Sequence, residues 1–256
     1  MRPPINLTQP IKEHKPDWLT IKLPTDTHKF DHIRQALRKR SLHTVCEESH
    51  CPNIPECWAG EGTATFLLMG DVCTRACKFC HIKTSANGRQ LDPDEPKKLA
   101  EAIAEINLNY AVLTSVDRDD LPDQGAGHFA LCINTIAAAS PDTIIEVLTP
   151  DFRSDLTCIR TIVDARPAVY AHNIETVERL QNTVRDLRAG YQQSLSVLRT
   201  VKKFDKNIFT KSSLMLGLGE TEAEVLQTMH DLREAGVDIL TLGQYLKPTV
   251  IHIKVT

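Results

Sequence analysis

Three cysteines, Cys73, Cys77 and Cys80, stand in the spacing CxxxCxxC, with Phe79 just before the last. Three thiolates on so tight a loop can each bind one iron of a cubane [4Fe–4S] cluster, a group that normally takes four cysteine ligands. The fourth iron is then open to an exogenous group, the arrangement of a catalytic rather than a purely electron-carrying cluster. Zinc is the competing reading, but a structural zinc site closes with four ligands. His81, the nearest fourth donor, is adjacent to Cys80, which makes shared geometry awkward. Unrelated thiols are the third reading. A second triplet, Cys46, Cys51 and Cys57, reads CxxxxCxxxxxC, so six of the eight cysteines fall within 35 residues. In a reducing compartment such clustering favours metal ligation over disulfides. Cys132 and Cys158 stand alone on helical patterns and read as buried structural thiols.

These residues need a frame. From residue 63 onward β-like segments alternate with helix-like ones. Candidate strands are 64–70, 110–115, 143–149, 168–172, 210–216 and 238–244; candidate helices are 94–107, 128–139, 154–164, 175–187, 190–204 and 221–235. Leu99, Ala102, Ile103 and Ile106 recur as the stripe of a half-buried helix. Thr221 and Glu224 carry a capping-box pattern ahead of Val225, Met229 and Leu232. Six strands with five crossovers call for a parallel sheet flanked by helices. Six units fall short of a closed eight-stranded barrel, so the expected fold is α/β, a partial TIM-type (β/α)6 open barrel; a doubly wound open sheet is the alternative. Active sites in either lie at the carboxyl ends of the strands, where the loop with Cys73 begins. Residues 1–62, with five prolines in the first 45 positions and the second triplet after them, read as an N-terminal extension, and residues 63–256 as the barrel.

Composition sets the outer limits. The chain of 256 residues is 41% apolar and 25% charged with a formal net charge of −3, which excludes a disordered or collagenous chain and offers no basic footprint for nucleic acid. No apolar run approaches the roughly 20 residues of a membrane span. The start, Met1-Arg2-Pro3-Pro4, has no apolar signal region, so a cytoplasmic location is expected.

The cysteine loop at the end of the first strand resembles the radical S-adenosylmethionine (SAM) superfamily. The string Thr44-Val45-Cys46-Glu47-Glu48, Cys51-Pro52-Asn53-Ile54 and Glu56-Cys57-Trp58 narrows the resemblance to the lipoyl synthases. Further matches are Lys15-Pro16, Trp18-Leu19, Thr114 to Leu121, Gly125 to Phe129, His172-Asn173-Ile174-Glu175-Thr176, Gly217 to Thr221 and Gly243 to Leu246. The resemblance spans residues 15–248. It implies two [4Fe–4S] clusters and SAM as cofactors. Cys73, Cys77 and Cys80 would hold the cluster whose open iron chelates SAM; Cys46, Cys51 and Cys57 would hold a sacrificial cluster that donates sulfur. Two SAM molecules would supply radicals that abstract hydrogens at C6 and C8 of a protein-bound octanoyl group. An unactivated C–H bond has no acidic proton, so the hard chemistry must come from the cofactor.

The implied partners are an octanoylated lipoyl carrier domain of a 2-oxoacid dehydrogenase or glycine cleavage protein, a reductant such as flavodoxin or ferredoxin, and an iron–sulfur carrier protein; no nucleic acid or membrane is implied. The family's Arg-Ser-Ser-Tyr segment, source of a serine ligand to the second cluster, is absent from this sequence. An impaired relative that binds clusters and SAM without completing sulfur insertion is therefore the alternative.

Weaker signals carry two readings each. Ser115, Asp117, Asn173 and Glu175 are candidate SAM contacts; the Asp117–Asp120 stretch otherwise reads as a solvated turn, and Glu175 as a first-turn helix acid. His172 reads as a satisfied core histidine rather than a base. Gly217 and Gly219 lack the third glycine of a dinucleotide fingerprint and suit a close backbone approach to SAM instead. Arg34, Arg38, Lys39 and Arg40 form either a solvated helix face or a dock for an acidic carrier.

Overall fold

The computed structural model describes residues 28–48, 51, 53–58 and 63–256. The Lys15 to Leu19 part of the resemblance lies outside them. The chain opens with α1 (His28–Lys39), β1 (His43–Thr44), α2 (Val45–Glu48) and α3 (Ile54–Glu56), then enters the barrel with β2 (Thr63–Leu68). A short parallel pair, β3 (Val72–Cys73) and β4 (Lys83–Thr84), closes the cysteine loop at its base.

The repeating units follow: α4 (Glu95–Ile106), β5 (Tyr110–Ser115), α5 (Ala126–Ala139), β6 (Ile144–Leu148), α6 (Leu156–Asp164), β7 (Val169–Ala171), α7 (Gln181–Val184), α8 (Tyr191–Phe204), β8 (Phe209–Leu216), α9 (Glu222–Glu234) and β9 (Ile239–Gln244). The main sheet runs β1-β2-β5-β6-β7-β8-β9. Its last six strands are parallel and lie in sequence order, as right-handed βα units require. All six expected strands are present within a residue or two.

Physical causes are visible element by element. Leu99, Ala102, Ile103 and Ile106 bury the inner face of α4, and Asn107 ends it in a left-handed C-cap. The capping box of α9 forms as its pattern predicts, with the Thr221 side chain accepting the Glu224 amide and the Glu224 side chain accepting from Thr221. Its inner face rests on Thr228 and Leu232, whereas Met229 is exposed. At the amino end of the barrel Tyr110 and Lys211 both donate to the buried Glu146 carboxylate, plugging the end opposite the cysteines.

Two features differ from the sequence expectation, the pairing of β1 and the 175–187 helix. Strand β1 pairs antiparallel with β2, so the described part of the extension joins the barrel sheet directly. Ile33 and Leu37 of α1 and the buried Trp58 belong to the same core as β2, α4 and α5. A two-residue strand has no periodicity to read. The expected helix over 175–187 is replaced by a 3-10 turn, Glu178–Leu180, and the single turn of α7. Glu175 takes a left-handed φ of +67° and bridges to Leu214 of β8, which keeps the chain extended past the strand.

Candidate functional site

The parallel register levels the strand ends: Leu68 opposite Ser115, Leu148 opposite Ala171, Leu216 opposite Gln244. A cavity of about 520 Å³ opens on this carboxyl rim. Cys73, Cys77 and Cys80 face it, and Cys51 reaches it from the extension. All four candidate SAM contacts, Ser115, Asp117, Asn173 and Glu175, line it as well. Cys46 and Cys57 are half-buried and do not line it, and the Cys51 amide donates to the Cys46 carbonyl at 2.9 Å. Gly217 and Gly219 are not on the wall. Their left-handed φ values of +97° and +99° turn β8 toward α9, with Glu220 accepting the Gly217 and Leu218 amides.

The cysteine loop is held from several sides. At its start the Thr74 amide donates to the Asp117 carbonyl (3.0 Å), and the Arg75 and Asp117 amides donate to Cys73 Sγ (3.4 and 3.3 Å). On the far side Lys78 donates to the Val184 carbonyl, Ala76 to the Asp186 carboxylate, and the Asp186 amide to Cys77 Sγ. His252 Nε2 lies 3.1 Å from the Cys80 carbonyl, and its ring meets that of His81 edge-on.

Beneath the loop Arg75, 3% exposed, forks between Asp119 and Asp151 at 2.7–2.9 Å, with Asp117 at 3.4 Å. Asp119 also accepts from Arg153, and Asp120 pairs with the buried Arg118. The 117–120 stretch is thus an ion-paired floor, not a solvated turn. The expected basic face of α1 is partly neutralised, since Arg40 pairs with Glu105 and Glu101 while Arg38 and Lys39 stay exposed.

Burial governs the electrostatics of the loop. Burial pushes Cys73 up to about 12, reinforced by the Asp117 carboxylate, and burial raises Cys77 to about 12 and Cys80 in the same direction. Such thiols ionise only beside a strong cationic centre, as iron is. Burial also opposes the Arg75 charge, but its Asp119 and Asp151 hydrogen bonds outweigh that and hold it cationic. Burial raises Glu175 and Asp117.

His172 is pushed down to about 4, first by burial and then by the Arg185 charge. Its Nδ1 lies 2.9 Å from the Thr149 carbonyl, so it donates there and Nε2 accepts from Ser194. It is a satisfied, neutral histidine.

The residues present fit the cofactors that the sequence suggests. Ser115 Oγ and Arg185 Nε are buried without a hydrogen-bond partner, and both residues face the cavity. A hydroxyl and a guanidinium beside carboxylates suit a ligand that carries a carboxylate, an amine and a sulfonium. Three thiols on the facing loop suit iron.

Comparison with known proteins decides the family. The radical SAM superfamily matches residues 67–232, and the N-terminal domain of lipoyl synthase of the radical SAM family matches residues 4–51. A lipoyl synthase of Anaeromyxobacter sp. (strain Fw109-5) is 58% identical over 94% of this chain and 81% of its own. One from Thermus thermophilus is 54% identical over 96% of this chain and 76% of its own. The chain belongs to the lipoyl synthase family. Its cofactors are therefore SAM and [4Fe–4S] clusters.

Solved structures share the fold at low identity. Methylornithine synthase superposes with a TM-score of 0.60 over 88% of this chain and 68% of that one, at 12% identity. The FeFe-hydrogenase maturase of Carboxydothermus hydrogenoformans gives 0.62 over 76% and 46%, at 14% identity. Two features of this lipoyl synthase family member escape sequence reasoning: Arg185 in the cavity wall, and the 184–188 clamp on the cysteine loop. Both lie at the end of the stretch read as helix or just past it, where only the Arg185-Asp186-Leu187-Arg188 run hinted at an ion-paired turn.

Proposed function

We propose that this chain inserts two sulfur atoms at C6 and C8 of a protein-bound octanoyl group to form the lipoyl cofactor. Cys73, Cys77 and Cys80 hold the SAM-binding cluster, and Cys46, Cys51 and Cys57 hold the second, sulfur-donating one. The observation that carries this reading is that the CxxxCxxC thiols, Cys51, Ser115, Asp117, Asn173 and Glu175 line one and the same cavity. A cluster held by Cys73, Cys77 and Cys80 would supply the electron for reductive cleavage of SAM, the source of hydrogen-abstracting radical chemistry.

The chain's own residues position and shield. Asn173 and Glu175 would orient the ribose or methionine part of SAM, Ser115 would donate its unpartnered hydroxyl, and the buried Arg185 would hold a carboxylate. Leu67, Leu148, Met215 and Leu246 offer the apolar wall that a saturated chain needs and water avoids. His172, neutral and doubly bonded, takes no proton. Partners of this reading are an octanoylated carrier domain of a 2-oxoacid dehydrogenase or glycine cleavage protein, a flavodoxin or ferredoxin, and an iron–sulfur carrier, all in the cytoplasm. No helix among the described residues is long and apolar enough to cross a membrane.

Single-turnover assays with octanoylated carrier, SAM and reductant test the division of labour. Cys77→Ala is expected to abolish both 5′-deoxyadenosine and lipoyl product. Cys57→Ala is expected to keep 5′-deoxyadenosine formation and lose sulfur insertion. Each should lower iron from about eight to about four atoms per chain. Equal loss of 5′-deoxyadenosine in both variants would refute the assignment; 5′-deoxyadenosine without lipoyl product in the unaltered protein would favour the impaired relative.

A further inference from the structure

Three residues outside the cavity meet behind the root of the cysteine loop. Glu95 stands in the first turn of α4, His128 in the first turn of α5, and Cys132 one turn further along α5. One donor atom from each lies within 4.8 Å of the others. Carboxylate, imidazole and thiol are ligands for zinc, but the distances favour a hydrogen-bonded bracket. His128 Nε2 is 2.6 Å from Glu95 Oε2, the separation of a charge-assisted hydrogen bond. Two ligands on one tetrahedral zinc stand roughly 3.3 Å apart. The carboxylate is also already engaged, because the Met69 amide donates to both of its oxygens at 3.2 and 3.1 Å.

Met69 and Gly70 are where β2 turns into the cysteine loop. Both are left-handed, at φ +65° and +87°. Met69 has a Cβ and resists that conformation, so something must hold it there. Glu95 holds its amide. Its side chain sits in a notch at the N-cap of α5, where a Cβ on Gly125 would come within 2.3 Å of Met69 Sδ. Three residues beyond the turn comes Cys73, whose backbone pairs with Thr84.

We propose that the Glu95–His128 pair is a positioning bracket: by fixing the Met69 amide it clamps the left-handed turn that aims Cys73 and the loop behind it at the cavity. Cys132 fills space against the pair and binds nothing. The bracket ties β2, α4 and α5 to one point, so the loop's direction is set by the barrel rather than by the loop itself. That the loop carries the SAM-binding cluster is the reading above, on which the consequence for SAM rests.

The test is His128→Ala in the anaerobic holoenzyme, with His128→Gln as the rescuing variant because its carboxamide can still donate to Glu95. His128→Ala is expected to speed amide hydrogen exchange over residues 67–73 about tenfold relative to residues 144–148. It should also weaken SAM binding about tenfold and shift the electron paramagnetic resonance signal of the reduced, SAM-loaded cluster. His128→Gln should restore all three to within about twofold of the unaltered protein. Cys132→Ser should change none of them.

If His128→Ala fails to fold, Glu95→Gln replaces it. This variant keeps an acceptor for Met69 and is expected to show the same changes to a smaller extent. Unchanged exchange over 67–73 in a folded variant overturns the proposal. So does about one zinc per chain that is lost in Cys132→Ser, which would make the cluster a metal site. The exchange reports the backbone whether or not the thiols carry iron, so a failure of the cluster assignment leaves this result readable.

Discussion

The two cysteine segments are built differently. The loop from Cys73 to Cys80 is tied by backbone pairing at its base, by the Asp117 carbonyl on one side, by Val184 and Asp186 on the other, and by His252 at its end. Between Cys46 and Cys57 the described residues bond locally, Cys51 to Cys46, Ile54 to Cys51 and Cys57 to Asn53, and Cys46 also meets Thr65 of β2. That segment is anchored at its margins, by β1 on β2 and by Trp58 stacked near Phe30. Many long-range ties make the first segment one that opens only with the fold.

Breaking the buried ion network should separate the two most. Arg75→Met leaves Asp117, Asp119 and Asp151 together without their main counter-charge, and a loss of about 3–5 kcal/mol in anaerobic urea unfolding is expected. Iron at the CxxxCxxC loop should fall while iron at the other triplet persists. Retention of both clusters at full stability would show that the loop does not depend on its floor.

His172 gives the next effect. The folded protein keeps it neutral down to about pH 4, while in the unfolded chain it takes a proton below about 6.5. The unfolded state then binds the extra proton, so stability present above pH 6.5 is lost as the pH falls toward 4. The slope is up to about 1.4 kcal/mol per pH unit. Comparing urea midpoints at pH 7 and pH 5 should show this slope in the unaltered protein and its reduction in His172→Gln.

The smallest effect is expected from Asp186→Ala, which removes the acceptor of the Ala76 amide at 2.9 Å. Local opening of residues 74–78, read by hydrogen exchange, should become easier by about 1 kcal/mol, with residues 53–57 unaffected. Equal change in both segments would erase the contrast between them.

Much of this was legible in the residues. The strands and most helices follow from periodicity, and the α9 cap from Thr221 and Glu224. The four candidate contacts Ser115, Asp117, Asn173 and Glu175 reach one cavity because each follows or ends a strand, and parallel strands bring their carboxyl ends together. Illegible were the contacts that join distant positions. Arg75 with Asp151, Asp186 with Ala76 and Glu95 with Met69 are 76, 110 and 26 residues apart, and no local pattern encodes such a pair. The 175–187 helix failed for the same reason: its residues have helical preference, but bonds from Glu175 to Ser213 and Met215 of β8 hold the backbone extended.

The thiol spacing, the strand count and the family motifs were decided along the chain, because each depends on neighbours within a few residues. Which carboxylate meets which guanidinium, which histidine stays neutral, and where the cysteine loop points were decided only in three dimensions. Those outcomes depend on burial, and burial is a property of the packed barrel rather than of any segment in it.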